Sequence, residues 1–486
     1  MANRSVYAKL MHSHPYFFRR LSSASFSSIA ASPSPLNFKE KTEPTTIADK
    51  SIVNLDDFKG LFSSVPTSKL IKSSINLHLT AIEPVVDMGM WVVNSRLMET
   101  PLLREIILGV IKSTVYEHFC AGKDLKEVGT SVNKLYDHGL KAMLDYGLEH
   151  VNDNESCDRN FNEFMQTIES TKFLPPSSVS FVVVKITAIC PLSLLRRVSD
   201  LLRWQYKDKS LHLPWKLKTF PILSDCSPFY HSPNRPEPLT QEEENNLHLS
   251  HQRLTKLCEK CVETNVSLLI DAEDTSLQPA IDYFGYTASI MYHKDDEPIV
   301  FGTIQAYLKD AKERLVNAKK AADKMGVPVG FKLVRGAYMS SERQLASSLG
   351  VKSPIQDSIQ ETHRCYNDCA AFMLHEIANG SGSIILATHN VESGKLAASK
   401  AIDLGIAKDN QNLQFAQLYG MSEALSLGLV NAGFRVSKYL PFGPVDQIIP
   451  YLLRRAEENR GLLSASSLDR HLMKKELMRR LTSSIT

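Results

Sequence analysis

Two adjacent arginines near the end of the chain form the most distinctive chemical motif of the sequence. The motif consists of Tyr451, Arg454, Arg455 and Glu458 within the stretch 451–459. Residues three, four and seven positions apart share one face of a helix, so these side chains are expected to point the same way. Two neighbouring guanidinium groups repel each other, and a carboxylate ligand relieves the repulsion because guanidinium forks bind carboxylates through two hydrogen bonds. The motif predicts a site for a small carboxylate, with a phosphate ligand or an exposed Arg–Glu helix face as the alternatives.

Polar residues also end most of the short apolar runs of the chain. They are Lys185, Asp271, Glu273, Gln305, Lys332, Arg335, Thr388, His389, Asn390, Gln414, Gln417 and Tyr439. One polar residue in such a position usually faces solvent, but polar ends on seven successive runs predict a shared site. His389 has no second histidine at metal-ligand spacing, so no metal site is predicted, and the sequence has no Gly-x-Ser-x-Gly nucleophile motif.

The apolar runs themselves predict the architecture that must position these residues. Eight runs alternate with longer amphipathic segments: 140–146, 181–188, 266–272, 299–306, 330–336, 383–389, 413–419 and 434–440. Continuously apolar strands that alternate with helices indicate a parallel sheet buried on both faces. Eight such units predict an α/β fold, a closed (β/α)₈ barrel, whose ligands bind at the carboxyl ends of the strands. An open doubly wound sheet is the alternative, although no Gly-x-Gly-x-x-Gly or Walker loop follows any run.

The first 38 residues differ in composition from the remainder. They contain four of the 56 Lys and Arg residues and nine serines, but no Asp or Glu. Such a composition is typical of an organelle transit peptide, with a disordered tail as the alternative. Without this leader, 52 Lys and Arg remain against 53 Asp and Glu, so the net charge changes from +3 to −1. This balance argues against a nucleic-acid partner.

The other expected divisions follow from pattern and composition. They are a flexible linker at 39–67, an N-terminal helical arm at 68–135, the catalytic barrel at 136–465 and a basic C-terminal tail at 466–486. After the second strand, the Pro- and Ser-rich residues 205–245 predict a surface-exposed insertion, which is followed by a helix over about 246–264.

Cysteine usage and hydropathy exclude two further classes of protein. Eight cysteines in 486 residues do not indicate a disulfide framework. The pairs Cys258/Cys261 and Cys365/Cys369 could together supply four zinc ligands, but the second pair shares one face of an expected helix, and reduced structural thiols are predicted instead. No apolar run approaches the ~18 residues that a membrane-spanning helix needs.

Four motifs, in this order along the chain, carry a family resemblance. They are Ile-Asp-Ala-Glu (270–273), Lys-Leu-Val-Arg-Gly-Ala-Tyr (332–338), Ala-Thr-His-Asn (387–390) and the double-arginine motif (451–459). Together they resemble the proline dehydrogenase (proline oxidase) family, most closely its mitochondrial plant form, over about 115–465. The resemblance implies a (β/α)₈ barrel with non-covalent FAD. It also implies oxidation of L-proline to Δ¹-pyrroline-5-carboxylate, the first step of proline catabolism, with a hydride passing from proline C5 to flavin N5.

The resemblance further implies roles for single residues. The clamp for the proline carboxylate would consist of Lys185, Arg454 and Arg455, braced by Glu458. The apolar pocket around the pyrrolidine ring would consist of Tyr439, Tyr451 and Leu418. Asp271 matches the family's active-site aspartate, which orders Tyr439 and the substrate-binding groups.

Cofactor contacts are implied at nine positions. They are Ala272, Gln305, Lys332, Val334, Arg335, Gly336, Ala337, Thr388 and His389. Glycine and alanine suit positions where the backbone approaches a cofactor closely. Many bacterial members of the family have arginine where this chain has Lys332, which can also donate a hydrogen bond to the flavin but lacks a planar fork.

In this family, electrons pass to a quinone at the inner mitochondrial membrane. The resemblance therefore implies a quinone acceptor, a location on the matrix side and peripheral membrane contact. The tail from 460 has six Lys and Arg and apolar residues four apart, which predicts a helix that lies on anionic lipid or packs over the barrel. The competing functions are another flavin-dependent barrel, such as a folate reductase, and a catalytically decayed barrel that serves as a scaffold.

Overall fold

Eight parallel strands close into one barrel, as the apolar runs predict. The computed structural model describes residues 52–461 and 463–483, without the side chains of 456–465. The strands are β1 (Lys141–Tyr146), β2 (Val179–Val184), β3 (Ser267–Ile270), β4 (Val300–Gln305), β5 (Gly330–Val334), β6 (Ser383–Ala387), β7 (Leu413–Leu418) and β8 (Val436–Phe442). Each strand pairs with its neighbours in sequence, and β8 closes on β1. The predicted (β/α)₈ barrel is confirmed.

Helices precede the barrel, surround it and follow it. Before β1 lie Phe58–Leu61, Thr67–Leu79, Glu83–Asn94, Pro101–Ile111, Glu117–Phe119 and Leu125–Tyr136, with a 3₁₀ turn at Arg96–Glu99 and a π turn at Lys112–Tyr116. Between the strands lie Asn154–Ser170, Ile186–Ile189, Leu192–Lys207, Gln241–Thr264, Gln278–Met291, Ala311–Met325, Met339–Ser348, Ile359–Ala378, Val391–Asp403 and Glu423–Asn431. After β8 lie the clamp helix (Val445–Gly461) and the C-terminal helix (Leu463–Ser483). Short 3₁₀ turns at Thr171–Phe173 and Phe229–His231 and a small antiparallel pair, His293–Lys294 with Glu297–Pro298, complete the described elements.

Two boundaries differ from the sequence expectation for local reasons. The helix expected from about 246 begins at Gln241, because Thr240 and Glu243 form a capping box in which each side chain accepts the other's backbone N–H. The second strand ends at Val184 rather than continuing to 188, since the chain turns at Lys185 into a short helix, Ile186–Ile189.

The inside of the barrel is filled by apolar side chains, which are Met143, Phe181, Val183, Leu269, Phe301, Ile385 and Ala416. The rings of Phe181 and Phe301 meet edge to face with their centroids 4.8 Å apart. At the beginning of β5, Gly330 lies directly against this cluster, and a Cβ there would be 2.2 Å from a ring carbon of Phe301. The packing of the barrel therefore requires glycine at this position.

We expect Gly330→Ala to lower the free energy of unfolding by about 1–3 kcal/mol, because the added methyl group must displace a buried aromatic ring. Urea denaturation measures the loss. The matched control is Gly109→Ala, within the helix Pro101–Ile111, where a Cβ would meet nothing within 4 Å. Because alanine is the better helix former, the control should be as stable as the wild type or more so. A Gly330→Ala protein of unchanged stability would contradict the packing described.

The first described segment of the chain packs against the barrel. Residues 52–67 fall in the flexible linker expected from sequence, yet Val53, Leu55, Leu61 and Phe62 are buried there. The side chains of Val53 and Leu55 lie against Gly428 of the helix that follows β7. This part of the expected linker is thus structural, because its apolar residues are spaced to reach the core. The expected transit peptide at 1–38 and residues 39–51 lie outside the described residues.

The N-terminal helices expose large apolar side chains. Met88, Trp91, Leu102, Ile106 and Val110 are each more than half exposed, and Trp91 reaches 65%. Exposed apolar groups concentrated on consecutive helices are typical of a docking surface. Among the described residues, the helices are too short or too polar for any of them to span a bilayer.

The insertion at 205–245 is largely irregular, and most of its residues are at least partly exposed, but single apolar residues fasten it to the core. Phe220 is 1% exposed, and Leu213 and Ile222 are also buried. The Ser227 hydroxyl donates to Asp310 at 2.6 Å, which fastens the segment to the barrel. The proline and serine content correctly indicated that the segment lacks regular structure. It did not reveal that a few isolated apolar side chains of the segment are buried in the core.

The basic tail was expected to form a helix that lies on anionic lipid or packs over the barrel, and in the structure this helix is packed. Leu472 and Met473 of the C-terminal helix are buried in the main core. Asp469 accepts the backbone N–H groups of Glu423 and Ala424 at the start of another helix. Arg480 donates to the carbonyl of Phe62 at 2.6 Å. The C-terminal helix therefore packs on the first described segment and on the helix that follows β7.

All eight cysteines are free thiols, and six of them are buried. Cys258 and Cys261 lie on the helix Gln241–Thr264, and Cys365 and Cys369 lie on Ile359–Ala378. The described residues contain no group of three or more His, Cys, Asp and Glu side chains arranged to hold a metal ion.

Candidate active site

Strand register brings distant polar residues together at the carboxyl end of the barrel. Val184 of β2 pairs with Ile270 of β3, so Lys185 and Asp271 leave adjacent strands at the same level. The Asp271 N–H donates to the Val184 carbonyl at 3.1 Å. β1 lies between β2 and β8. Tyr439 of β8 pairs with Met143 of β1 and with Leu418 of β7.

Four buried charges form an alternating chain across this end of the barrel. The Lys185 Nζ donates to Asp145 Oδ1 at 2.8 Å and lies 3.5 Å from Asp271 Oδ2. The Lys332 Nζ, which comes from within β5, donates to Asp271 Oδ1. The Tyr439 hydroxyl donates to Asp271 Oδ2 at 2.6 Å. Asp271 is therefore the central acceptor of this group and fixes the position of the Tyr439 hydroxyl.

Burial and ion pairing act in opposite directions on the pKa values of these groups. Burial alone raises the pKa of Asp271, but Lys332 and Lys185 lower it to about 2. Burial alone lowers the pKa of Lys185, but the carboxylates of Asp145, Asp271 and Glu149 raise it above its usual range. For Asp145 burial prevails, and its pKa is raised. At neutral pH, Asp271 is thus a carboxylate and Lys185 an ammonium.

The double-arginine motif lies on the clamp helix, as predicted, and its two arginines have different surroundings. Arg454 forms a two-point pair with Glu149, in which Nη2 donates to Oε2 at 2.9 Å and Nη1 donates to Oε1. Arg455 is 9% exposed, and its guanidinium lies 5.0 Å from the ring centroid of Tyr451. The side chain of Glu458, the expected brace, is outside the described residues.

Electrostatic contacts join the clamp helix to the buried chain of charges. Arg454, His150 and Lys185 lower the pKa of Glu149 to about 2, although burial alone raises it. Tyr451 packs in an apolar cluster that includes Met421 and Ile448, with Leu418 against it. The structure therefore brings the two arginines, Lys185 and the three expected pocket residues to one region of the barrel mouth.

The residues expected to bind the cofactor lie in or just after β3 to β6, which are consecutive strands. Arg335 is held by Thr388 at 2.6 Å, by His363 at 3.0 Å and by Ser393 at 2.8 Å. Its guanidinium also lies 4.4 Å from the ring centroid of Tyr366. So many partners fix the orientation of Arg335, which presents a rigid positive charge at the barrel mouth.

Gly336 has a conformation that other residues rarely adopt. Its φ is +134°, and a Cβ there would be 2.5 Å from the ring of Tyr307. Next to it, Ala337 is exposed and Val334 is partly exposed, so the backbone at 334–337 is accessible. Ala272, after β3, is also partly exposed, and the Gln305 side chain donates to the Glu273 carbonyl at 2.8 Å.

His389 is a neutral histidine in this arrangement. Burial, together with the nearby cations Lys438 and Arg455, lowers its pKa to about 3. Its Nε2 accepts the Leu418 N–H at 3.0 Å, so the proton of the ring is on Nδ1. The histidine thus ties the end of β6 to the pocket residue Leu418.

As a donor set, these side chains fit a flavin dinucleotide. The set offers the ammonium of Lys332, the guanidinium of Arg335, the hydroxyl of Thr388 and the amide of Gln305. Such donors suit a diphosphate and the electron-rich edge of a flavin ring. The residues present are therefore compatible with FAD.

Sequence reasoning missed three residues of this region as site candidates: Asp145, Glu149 and His150. Asp145 lies next to the carboxyl end of β1. It is a polar residue near the end of an apolar run, which is the same signal that the other strands carry. Glu149 and His150 lie in the loop after β1, and only the fold shows that this loop meets a helix about 300 residues later. Tyr338, in the Gly-Ala-Tyr stretch, is also close enough for the charges of Arg454, Glu273 and Glu149 to act on it, and burial raises its pKa well above the usual range.

Comparisons with known proteins agree with this geometry. A family model described as proline dehydrogenase matches residues 128–467. The chain is 58% identical over 431 residues to "Proline dehydrogenase 2, mitochondrial" of Arabidopsis thaliana, covering 88% of this chain and 90% of that relative. It is 56% identical to "Proline dehydrogenase 1, mitochondrial" of the same plant, covering 95% of this chain and 92% of that relative.

A solved bacterial structure shows the same fold. It is proline utilization A (PutA) from Bdellovibrio bacteriovorus inactivated by N-propargylglycine, which matches with a TM-score of 0.63 and 20% identity over 85% of this chain. The chain spans 41% of the length of that bacterial protein.

Proposed function

This chain belongs to the proline dehydrogenase family, and from that premise we propose that it oxidises L-proline to Δ¹-pyrroline-5-carboxylate with non-covalent FAD. The observation that carries the proposal is the grouping of three cations, Arg454, Arg455 and Lys185, with the side chains of Tyr439, Tyr451 and Leu418 at the barrel mouth. A small, cyclic amino acid with a free carboxylate fits a site of this composition. A decayed barrel that acts only as a scaffold would have no need for such a buried array of charges.

The carboxylate of proline would bind to the guanidinium forks of the clamp helix. Arg455 stacks on Tyr451, and Arg454 is oriented by the two-point pair with Glu149. Both arginines are thus held before the ligand binds, which reduces the entropy lost on binding. Lys185 would add a third positive charge from the other side of the pocket.

The ring of proline would be enclosed by Tyr439, Tyr451 and Leu418. Tyr439 is fixed by its hydrogen bond to Asp271, so its ring can pack against the substrate in one orientation. Because the pKa of Asp271 is about 2, this carboxylate is a weak base at neutral pH, and we assign it an orienting role. The residues of the pocket therefore act mainly by positioning C5 of proline and excluding water.

The cofactor would lie along the ends of β3 to β6. When bound, FAD supplies the acceptor for the hydride that leaves C5 of proline, while the ring nitrogen loses its proton. Lys332 would donate to the flavin N5 edge, and Arg335, Thr388, His389 and Gln305 would hold the remainder. The backbone of Ala272, Val334, Gly336 and Ala337 would pack closely against it.

We further propose a quinone as the electron acceptor and a location on the matrix side of the inner mitochondrial membrane. The two Arabidopsis relatives carry the word mitochondrial in their names. The exposed apolar face of the N-terminal helices supports peripheral membrane contact, since Trp91, Met88 and Leu102 would insert at a lipid surface. The packed C-terminal helix supports such contact less well than its sequence suggested.

Steady-state assay of the purified full chain tests this function. We expect a yellow protein that retains FAD and oxidises L-proline with a soluble quinone, and we expect no turnover with NADH as the electron donor. A colourless protein that cannot retain FAD contradicts the proposal. Oxidation of NADH without oxidation of proline would instead favour a reductase of the folate type.

A further inference from the structure

The loop after β1 contains a histidine in a strained backbone conformation. His150 has φ +57°, in the left-handed region, which is unfavourable for a residue with a side chain. The chain is fixed immediately afterwards, because the Val151 N–H donates to the Thr187 carbonyl at 3.0 Å and the Val151 carbonyl accepts the Leu192 N–H at 2.9 Å. Strain that is held in place beside a binding site points to a role for the side chain concerned.

The ring of His150 lies between two carboxylates. Its Nε2 is 3.2 Å from Glu273 Oε2, and its Nδ1 is 3.8 Å from Glu149 Oε1. Glu273 is fully buried, and its other oxygen accepts the Thr187 hydroxyl at 2.8 Å. Glu149 is the residue that pairs with both nitrogens of the Arg454 fork. His150 therefore connects a fixed, buried acid to the acid that orients the clamp.

The charges that act on His150 come from two elements besides its own loop. They are Glu273 after β3 and Arg454 on the clamp helix, while Glu149 belongs to the same loop. Burial alone lowers the pKa of His150, and so does Arg454, but Glu273 and Glu149 raise it above its usual value. The ring thus stays protonated to a higher pH than an ordinary histidine.

We propose that His150 is a positioning residue, which in its protonated form bridges Glu273 and Glu149 and so holds the Arg454 fork ready for the substrate carboxylate. The inference rests on the proposed function, since it concerns the clamp for proline. No proton passes from His150 to the substrate, and its effect is confined to binding. The neutral ring formed at higher pH can at most make an uncharged hydrogen bond to Glu273, and Glu149 then retains only Arg454 and Lys185 as positive neighbours.

The direction of the pH effect follows from this bridge. Below the raised pKa the ring is charged and the clamp is ordered. As the pH rises through that pKa, the KM for L-proline should increase about tenfold, the scale of one charge-assisted hydrogen bond. The kcat should not share this transition, because the arginines hold the same geometry once the substrate is bound.

The decisive variant is His150→Gln, which can still donate a hydrogen bond to Glu273 but has no charge to lose. We expect a KM about tenfold higher than the wild type near neutral pH, a kcat within about twofold of the wild type and no transition in the pH profile of KM. His150→Asn, which tolerates the left-handed conformation better than most residues, should behave in the same way. The matched control is His375→Gln on an exposed helix face, which should keep the wild-type profile.

The thermal midpoint supplies a readout that does not depend on turnover. A histidine whose pKa is raised by folding contributes stability that is complete below its unfolded pKa and is lost as the pH rises through the folded pKa. The difference in Tm between the wild type and His150→Gln should therefore shrink as the pH rises. A KM profile in His150→Gln that matches the wild type, or a Tm difference that is constant with pH, overturns the inference while leaving the proposed function intact. A wild-type enzyme that does not oxidise proline overturns both.

Discussion

Replacement of Arg455 by methionine is expected to raise the KM for L-proline about 100-fold, because a desolvated guanidinium–carboxylate contact is worth about 2–5 kcal/mol when one partner is removed. Methionine keeps most of the length and packing of the side chain, which is 9% exposed beside Tyr451. The expected cofactor residues lie on other strands, so FAD should remain bound. Steady-state kinetics and the flavin content of the purified variant measure the two properties separately.

Two further variants serve as controls for Arg455→Met. Arg455→Lys keeps the charge but not the fork, and it should give a KM between those of the wild type and Arg455→Met. Arg364→Met replaces an exposed arginine on the helix Ile359–Ala378 and should leave the KM unchanged. If Arg455→Met has wild-type kinetics, Arg455 does not bind the substrate carboxylate.

Replacement of Asp271 by alanine is expected to have the broadest effect, because this carboxylate accepts hydrogen bonds from both Lys332 and Tyr439 and lies 3.5 Å from Lys185. Its loss leaves two buried ammonium groups short of a counter-charge, and breaking such a pair typically costs 3–5 kcal/mol. We therefore expect kcat/KM to fall by at least about 100-fold and the thermal midpoint to decrease. Kinetics with L-proline and thermal unfolding measure the two effects.

A matched ion pair on the surface provides the control for Asp271. Asp368→Ala removes an exposed carboxylate that pairs with Lys312 at 2.9 Å. Exposed pairs are worth about 0–1 kcal/mol, so activity should be unchanged and stability nearly so. Comparable small losses in Asp271→Ala and Asp368→Ala would show that Asp271 does not organise the site.

The sequence allowed the barrel to be predicted because its signal is repeated. Eight apolar runs of strand length, each followed by an amphipathic segment, can bury both faces of a sheet only in a few ways. The same repetition identified Lys185, Asp271, Lys332 and Tyr439 as members of one site before their contacts were known. The residue types at the strand ends therefore carried most of the information on the site.

The partners of these residues could not be predicted, because they depend on contacts between segments far apart in the chain. Sequence spacing assigned Glu458 to the arginines, whereas the described partner of Arg454 is Glu149, which lies 305 positions earlier. Burial of the segment at 205–245 depended on single residues such as Phe220 within a polar composition. Spacing reveals neighbours on one helix or strand, and only the closed barrel brings β1 against β8.

Anaerobic mixing of the purified protein with L-proline tests the central claim most directly. We expect the visible absorption of the bound flavin to disappear, with one Δ¹-pyrroline-5-carboxylate formed for each flavin reduced, and to return when a soluble quinone is added. NADH should leave the spectrum unchanged. A flavin that stays oxidised in the presence of L-proline would contradict the assignment of this barrel as a proline-oxidising enzyme.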